Sequence, residues 1–449
     1  MPVTTPTASS TPTRGRRRVR PLSVLTAAVA AALVTTACLP AQASNVSISR
    51  SLFGMHDGTD TARGNPVSAG SFDAVHEGWI RLWDTGVQWK NIQTSGGSTP
   101  TYNWSRLDTL VDAATAHHAK ITMVVAGTPS FYSKDPWNVP ADRVDEYKAF
   151  VRALMTRYKG RIDSYQVWNE VNIPTFWTGS MARMAQLTKA MYDVRNNVDP
   201  KATIVAPPMV TRLPFELDGI KPYETQKIGG KPVWRFYDVV ALNLYPLAKV
   251  NGRAGVPEDT ITLLNAAKKR LRAAGVPSSK PIWDTEVNYG LQSGAGGDAT
   301  PISGAKQAAN VVRTYLLQAA NNVKRIAWYR YDWGRTSRGG TLGNTLLTDP
   351  DDVSKLTAAG RAYVMVQSWM HGTLKGKPGQ RPCAKDSHGT YLCVVTDSTG
   401  TKRIYWNPFK KVTVTLPSGV HHKQTVLGAT SKLSSRRLTV NYAPVMISK

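Results

Sequence analysis

The chain has 449 residues, of which 41% are hydrophobic and 19% are charged, a composition that is ordinary for a folded protein. Its charge balance is unusual, because 56 Lys and Arg against 30 Asp and Glu give a formal net charge of +26 at pH 7. Such a surface favours anionic partners, but the basic residues are scattered and form none of the recognised nucleic-acid-binding motifs, so no nucleic-acid partner is expected.

The first 43 residues have the pattern of a secretory signal peptide. Five arginines between residues 14 and 20 precede an apolar run from Val24 to Val34, and Ala41-Gln42-Ala43 precedes Ser44. The apolar run is far shorter than the roughly 20 residues that a membrane-spanning helix needs, which favours a cleaved signal over an anchor. We therefore predict a secreted protein that is cleaved near Ala43-Ser44. Both the general and the twin-arginine export routes remain open.

From about residue 50, apolar strand-like runs alternate with helical patterns, which is typical of βα units and a parallel sheet. The predicted strands are Ser51–Met55, Trp79–Trp83, Lys120–Ala126, Ser164–Trp168, Ala202–Ala206, Asp238–Leu244, Pro281–Thr285 and Arg325–Tyr331. The predicted helices are Ser105–His117, Val144–Tyr158, Met181–Asn197, Thr260–Ala274, Gly304–Asn321 and Thr357–Met370. Eight βα units over roughly 320 residues match the size of a (β/α)₈ barrel, so the fold class is α/β and the barrel domain is predicted to span residues 44–372.

Residues 373–449 have a different pattern, which predicts a small β-sandwich. Its predicted strands are Tyr391–Thr396, Arg403–Trp406, Val412–Leu416 and Leu438–Tyr442. This segment contains 13 Lys and Arg against two acidic residues, so it is either a supporting domain with a solvated basic face or a module that docks on polyanions.

Three cysteines occur, and one of them lies in the predicted signal peptide. The other two, Cys383 and Cys393, are ten residues apart, and in an oxidising compartment we expect them to pair across a hairpin. Two thiols without a nearby histidine cluster argue against a metal site, and we expect no metal and no cofactor.

Two stretches, Tyr165–Asn172 and Pro281–Glu286, end an apolar strand in a glutamate, Glu170 and Glu286 respectively. Alone, the Asn169-Glu170 pair also fits a polar turn between a strand and a helix. The second stretch changes the interpretation, because a parallel barrel brings the carboxyl ends of its strands to one mouth, where such barrels carry out chemistry. Two carboxylates at one mouth are the minimum requirement for hydrolysing a glycosidic bond.

The segment Gly160–Glu170, with Ile80–Asp84 before it and Trp283–Glu286 after it, resembles the clan A glycoside hydrolases. Family 39 and related bacterial secreted glycosidases are the group that it resembles most. The resemblance covers roughly residues 50–372 and rests on an order of residues: Arg on strand two, Asn-Glu ending strand four, Tyr ending strand six and Glu ending strand seven. One departure is Val171, where the family usually has proline.

The resemblance implies a role for each matching residue. Glu170 is expected to be the acid/base and Glu286 the nucleophile of a retaining mechanism. Arg81 and Tyr245 are expected to donate hydrogen bonds to Glu286, and Asn169 to bind the sugar 2-hydroxyl. Because the two carboxyl groups must titrate apart, their environments are expected to differ.

Aromatic residues near the strand ends suit a cleft in which sugar faces stack on flat rings. Trp177, Tyr289, Tyr331 and Trp333 have such positions, and of these we include only Trp333 among the expected substrate-binding residues. His56 also follows a strand, but a histidine there more often satisfies a loop, so it is not included.

The resemblance and the two glutamates together predict a secreted, retaining glycoside hydrolase that cleaves β-linked bonds of an oligo- or polysaccharide. An acidic or envelope-associated glycan is one candidate substrate, given the basic charge. The alternative is a catalytically weak carbohydrate- or polyanion-binding protein of the bacterial envelope. The sequence does not indicate the sugar, the linkage, endo or exo action, or the oligomeric state.

Overall fold

The computed structural model of the chain describes residues 45–56, 70–212, 214–246, 249–250, 252–290, 302–332, 345–349, 352 and 354–449. The predicted signal peptide, residues 1–43, lies outside these ranges, so its cleavage stays a prediction. Within the described ranges, no helix is both long enough and apolar enough to cross a membrane.

Eight parallel strands form a barrel, paired in the order five, four, three, two, one, eight, seven, six. In chain order they are Phe53–Met55, Trp79–Leu82, Lys120–Val125, Ser164–Val167, Thr203–Val205, Val240–Asn243, Ile282–Val287 and Val323–Trp328. The fifth and sixth strands close the barrel through a parallel bridge between Val205 and Val239 and a hydrogen bond from Asp238 N to Ile204 O at 2.8 Å. The predicted (β/α)₈ barrel is therefore confirmed.

The barrel strands are apolar runs because both of their faces are buried. Lys120–Val125, for example, is buried from Ile121 onward. Close packing also explains Gly54 in the first strand, where a Cβ atom would lie 2.0 Å from Nε1 of Trp79. Only glycine allows the tryptophan ring to approach the strand at this position.

Helices cover the outside of the barrel. The described α-helices are Gly70–Val75, Trp89–Ile92, Ser105–Ala116, Val144–Arg157, Met181–Val198, Ile220–Glu224, Pro257–Ala273, Gly304–Ala320 and Ala358–Met370. The helix predicted to begin at Thr260 begins three residues earlier, at Pro257. Proline is favoured at the first helical position, and Asp259 Oδ2 accepts a hydrogen bond from Val256 N at 2.9 Å, which caps this end.

Short elements connect these units. The 3₁₀ turns are Arg50–Leu52, Ala141–Arg143, Pro214–Gly219 and Val233–Phe236. Met209–Val210 adds a short parallel strand beside the sixth barrel strand. Two small antiparallel pairs join Lys227–Ile228 to Lys231–Pro232 and Lys249–Val250 to Arg253–Ala254.

The C-terminal segment forms two antiparallel layers, as predicted for a small β-sandwich. The larger sheet contains, in spatial order, Val46–Ile48, Gly372–Lys375, Tyr391–Asp397, Gly400–Trp406, Val445–Ser448, His422–Thr425 and Thr430–Lys432, with Ala384–Lys385 paired to Tyr391–Asp397. The smaller layer pairs Val412–Thr415 with Arg437–Val440. Val46–Ile48 lies within the sequence range assigned to the barrel, but it is an edge strand of the larger C-terminal sheet.

Alternation along the strands explains how the larger sheet packs on two sides. In Gly400–Trp406, Ile404 and Trp406 belong to the apolar core that includes the barrel, whereas Tyr405 belongs to the core shared with the smaller layer. Successive side chains of a strand point to opposite faces, so one face of the larger sheet packs against the barrel and the other packs against the smaller layer.

A buried ion pair joins the barrel helices to this sheet. Arg313 pairs with Glu258, and their side chains are 1% and 9% exposed. Trp406 Nε1 donates to Glu258 Oε1 at 2.9 Å, and Arg313 Nη1 donates to Tyr442 O at 3.5 Å. These contacts supply the partners that buried charges require, and they join the sheet to two helices of the barrel.

Cys383 and Cys393 form a disulfide, with Cα atoms 4.1 Å apart. The bond lies across the hairpin in which Ala384–Lys385 pairs with Tyr391–Leu392, as the sequence predicts. Cys393 is fully buried and Cys383 is 6% exposed, so the bond belongs to the interior of the sheet.

Because the closed loop is short, we expect the disulfide to contribute about 2–3 kcal/mol to the free energy of unfolding. Replacing both cysteines by alanine, which leaves no buried hydroxyl, should lower that free energy by this amount in a urea titration. Thiol counting on the unreduced, denatured chain beginning at Ser44 is the accompanying control. Two free thiols per chain would refute the disulfide.

Candidate active site

Glu286 lies near the carboxyl end of the seventh barrel strand and is 5% exposed. Arg81, from the second strand and fully buried, donates from Nη1 to Glu286 Oε1 at 2.5 Å. The Tyr245 hydroxyl, just beyond the sixth strand, donates to Glu286 Oε2 at 2.9 Å. Each carboxylate oxygen therefore accepts one hydrogen bond, and one of the two donors carries a full positive charge.

The Arg81 guanidinium connects three barrel strands. Besides its bond to Glu286, Nε donates to Gln166 Oε1 at 2.6 Å and Nη2 donates to Asn169 Oδ1 at 2.8 Å. Gln166 and Asn169 belong to, or directly follow, the fourth strand. The rigid, planar fork of an arginine presents five donors in fixed directions, whereas a lysine presents three donors from a single nitrogen.

Glu170 occupies the turn after the fourth strand and is 7% exposed. Its φ is +40° and that of Trp168 is +58°, a region that non-glycine residues rarely adopt. Asn243 Nδ2 donates to Glu170 Oε1 at 2.8 Å, and Asn243 Oδ1 in turn accepts from the Thr285 hydroxyl at 2.7 Å. This backbone strain lies directly beside the candidate acid, as is common at functional sites.

The two glutamates have opposite electrostatic surroundings. Burial, followed by the negative charge of Glu286, raises the pKa of Glu170 to about 8. The hydrogen bond from Asn243 and the positive charges of Arg212 and Arg81 oppose this rise without cancelling it. Glu170 is thus protonated at neutral pH, while Glu286 is held by two donors.

The carboxyl ends of the fourth, sixth and seventh strands bring these groups to one mouth. Asn243, which binds Glu170, is the register partner of Glu286 on the neighbouring strand. Arg81 binds both Glu286 and Asn169, the residue before Glu170. The predicted residues at positions 81, 169, 245 and 286 therefore form one hydrogen-bonded cluster, and Glu170 lies beside it, bound to Asn243.

His56, which the sequence analysis left out, is part of this cluster. It follows the first strand and is fully buried. Its Nε2 lies 2.9 Å from Thr285 O, 3.1 Å from Arg81 Nη1 and 3.9 Å from Glu286 Oε1. A carbonyl oxygen only accepts hydrogen bonds, so the contact with Thr285 O requires a proton on Nε2, and Nε2 then does not accept a hydrogen bond from Arg81 Nη1.

Asp84, after the second strand, supports the same side of the mouth. Its Oδ2 accepts from Arg330 Nη1 at 2.5 Å and from the Tyr329 hydroxyl at 2.7 Å, and its Oδ1 lies 3.8 Å from His56 Nδ1. Burial would raise the pKa of Asp84, but the contacts with Arg330, His56 and Tyr329 outweigh it and hold this pKa well below its usual range.

Asn243, His56 and Asp84 share a signal that was present in the sequence. Each is a polar residue at or just after the carboxyl end of a predicted apolar strand. Such positions face the mouth of a parallel barrel. The criterion that selects the two glutamates therefore also selects Asn243 and Asp84, and it applies equally to His56, whose position after a strand the sequence analysis assigned to a loop.

Three of the four aromatic residues that lie near strand ends are buried. Trp177, Tyr289 and Tyr331 are 4%, 2% and 1% exposed and pack in the apolar core, which agrees with leaving them out of the expected substrate-binding residues. Trp333 lies outside the described residues. Partly exposed rings occur instead at Trp137 and Phe176, in the loops after the third and fourth strands, with centroids 5.5 Å apart.

No protein-family model and no curated protein sequence matches the chain. Solved structures do match it. A family 39 glycoside hydrolase from the gut symbiont Bacteroides cellulosilyticus WH2 has a TM-score of 0.66 at 14% identity, with 89% of this chain and 82% of that chain covered. A family 39 β-xylosidase from Caulobacter crescentus has a TM-score of 0.61 at 14% identity, with 90% and 97% covered.

Members of a second family share the architecture. The catalytic domain of the family 30 xylanase C from Talaromyces cellulolyticus has a TM-score of 0.57 at 11% identity, with 91% of this chain and 98% of that chain covered. Residues 45–372 are a smaller share of the chain than any of these matches, so the matches include C-terminal strands. The chain is thus similar in fold to the family 39 glycoside hydrolases, a barrel followed by an antiparallel β-domain, as the resemblance implies.

Proposed function

We propose that the protein is a secreted, retaining glycoside hydrolase that cleaves β-linked glycosidic bonds. One observation carries the proposal: two buried glutamates share the mouth of the barrel in opposite environments, one protonated and one held by donors. Hydrolysis of a glycosidic bond by double displacement requires a pair of this kind. Strongly perturbed carboxyl pKa values concentrate at functional sites, which agrees with this assignment.

Glu170 acts first as the general acid. Its proton passes to the glycosidic oxygen as the bond to the anomeric carbon breaks, while Glu286 attacks that carbon and forms a covalent glycosyl ester. Glu170, now ionised, then removes a proton from water, which displaces Glu286. Because the acid must begin protonated, kcat/KM should fall as the pH rises through about 8.

The neighbouring donors orient the reacting groups. Arg81 and Tyr245 hold the two oxygens of Glu286 and so fix the direction of attack. Asn169 Oδ1 is occupied by Arg81 Nη2, which orients the Asn169 amide nitrogen for donation to the sugar 2-hydroxyl. That hydrogen bond strengthens in the transition state.

Secretion belongs to the same proposal. The signal-like segment and a disulfide between Cys383 and Cys393 both fit an exported protein, since disulfides persist in oxidising compartments. For the substrate, the β-xylosidase and xylanases of similar fold make β-linked xylose glycans the first class to test.

The direct experiment is a screen of the purified protein against aryl β-glycosides, beginning with the xyloside and the glucoside, and against β-linked and acidic polysaccharides. Proton NMR of the first product should show the β-anomer. Release of the α-anomer would contradict the retaining mechanism. Binding of a glycan without any cleavage across the panel would instead favour the alternative, a carbohydrate- or polyanion-binding protein.

We expect Glu286→Gly to lower turnover by at least about 10⁴-fold, because it removes the nucleophile. Azide should restore cleavage of an activated aryl β-glycoside, with the α-glycosyl azide as product. An unfolding titration checks the fold, because the variant leaves Arg81 without its carboxylate partner. Wild-type activity of this variant on a natural glycan would show the assignment to be wrong.

Glu170→Ala should behave differently from Glu286→Gly. Its loss should be about 10²–10⁴-fold for natural glycans, which need a protonated leaving group, and small for substrates with good leaving groups such as dinitrophenolate. The ratio of the two activities is the measurement. Equal losses on both kinds of substrate would contradict the role of Glu170 as the acid.

Glu170→Gln tests the unusual protonation state without a substrate. In the wild type, unfolding releases a carboxyl with an ordinary pKa near 4.5 from a site where its pKa is about 8. The folded state therefore loses stability as the pH rises from about 4.5 to 8, on the order of a few kcal/mol, whereas the amide loses none.

The expected result is that Glu170→Gln gains free energy of unfolding relative to the wild type between pH 5 and pH 9 in urea titrations. Burial also raises the pKa of Glu224 to about 8, but that contribution is present in both proteins and cancels in the difference. A difference that does not change with pH would contradict the proposed protonation of Glu170.

A further inference from the structure

A cavity of about 550 Å³ opens at the end of the barrel opposite the glutamates. It lies beside Val240 and Ile282, the first residues of the sixth and seventh strands, whereas Glu286 lies near the other end of the seventh. Glu286 is four residue steps along the strand from Ile282, a distance of roughly 13 Å. The cavity is therefore separate from the candidate active site.

All of the charged side chains that line this cavity are positive. Lys268, Arg272, Lys280 and Arg381 all line it. Among the described residues of the lining, none is Asp or Glu. The carboxyl groups of Asp238 and Glu224, outside the lining, favour the charged form of Lys280. Lys268, by contrast, is close to the charges of Arg381 and Arg272 with no carboxylate to offset them, which is unfavourable unless an anion is present.

Asn321 gathers two of these cations. Its backbone oxygen accepts a hydrogen bond from Lys268 Nζ at 2.7 Å, and its side-chain Oδ1 accepts one from Arg381 Nη1 at 2.7 Å. Lys268 and Arg381 come from the barrel and from the C-terminal domain, so the fold brings them together. Burial, then the charges of Arg381 and Arg272, lower the pKa of Lys268 to about 8.

The C-terminal ends of two helices offset part of this positive charge. The cavity lies at the C-terminal ends of the helices Pro257–Ala273 and Gly304–Ala320, whose carbonyl groups attract cations. The dipole of each helix end is equivalent to about half a negative charge. Two ends thus offset about one of the four cations, and most of the positive charge is left for a ligand.

We propose that this cavity binds a phosphate group. The site has donors of two geometries, the flat forks of Arg272 and Arg381 and the rounded ammonium groups of Lys268 and Lys280, on three separate segments of the chain. A tetrahedral anion offers acceptors in several directions at once, which such a set of donors requires. The group belongs either to a free phosphate ion or to the phosphodiester of an anionic envelope polymer.

This inference is independent of the proposed hydrolase activity. In a barrel of this kind the end opposite the mouth ordinarily contributes stability and not chemistry. A phosphate site there would hold the protein on a polymer while the mouth stays open to a glycan. It also assigns a location to the attraction for anions that the net charge of the chain predicts.

The test is isothermal titration calorimetry of the whole chain with inorganic phosphate and, separately, with a poly(glycerol phosphate) oligomer, at constant ionic strength. Lys268→Met and Arg272→Gln should each weaken binding at least about tenfold, because each removes a charged donor. Lys269→Met is the matched control, since Lys269 is the next residue of the same helix, is exposed and does not line the cavity. Arg272 has an exposed side chain, so its variant tests the site even if Lys268→Met fails to fold.

Saturable binding of either probe that the two cavity variants lose and Lys269→Met keeps would support the site. Tighter binding of the oligomer would identify a polymer phosphodiester as the ligand, and binding of the ion alone would identify a free phosphate. Absence of binding to both probes would overturn the proposal. Equal weakening by Lys268→Met and Lys269→Met would also overturn it, because it would indicate diffuse attraction to a basic surface.

Discussion

The buried ion pair between Arg81 and Glu286 is the interaction on which the rest of the site depends. Both side chains are removed from water, and a buried charge left without its partner costs several kcal/mol. Closure of the barrel avoids this cost, because it places the second, fourth and seventh strands where one guanidinium can bind Gln166, Asn169 and Glu286. The site is thus a consequence of the barrel geometry.

The same pair also creates the difference between the two glutamates. Arg81 and Tyr245 hold the carboxylate of Glu286, and burial, followed by the charge of that carboxylate, raises the pKa of Glu170. The proposed mechanism assigns attack to Glu286 and proton donation to Glu170 on the basis of this difference. Asn243 binds Glu170 and is the register partner of Glu286 on the neighbouring strand, so it connects the surroundings of the two glutamates through the sheet.

The order of strands, the barrel and the convergence of four predicted residues around Glu286 were predictable, because an apolar run marks where a parallel strand ends and the ends share one mouth. Burial of Trp177, Tyr289 and Tyr331 was not predictable, since it depends on how loops and helices fold over the rings. The pairing of Val46–Ile48 with Gly372–Lys375 joins segments more than 300 residues apart, a contact that no local pattern encodes. The position of His56 after the first strand was known from the sequence. Its contact with Thr285 O was not predictable, because Thr285 belongs to the seventh strand.

The central claim is that Glu286 attacks the sugar while Glu170 supplies the proton, and covalent trapping tests it most directly. A panel of activated 2-deoxy-2-fluoro-β-glycosides, including the xyloside and the glucoside, would be incubated with the protein and followed by intact mass and peptide mapping. The account predicts one glycosyl adduct per chain, on Glu286, that accumulates in the wild type and is absent from Glu286→Gly. An adduct on another residue, or hydrolysis of the parent glycosides with no adduct from any member of the panel, would contradict it.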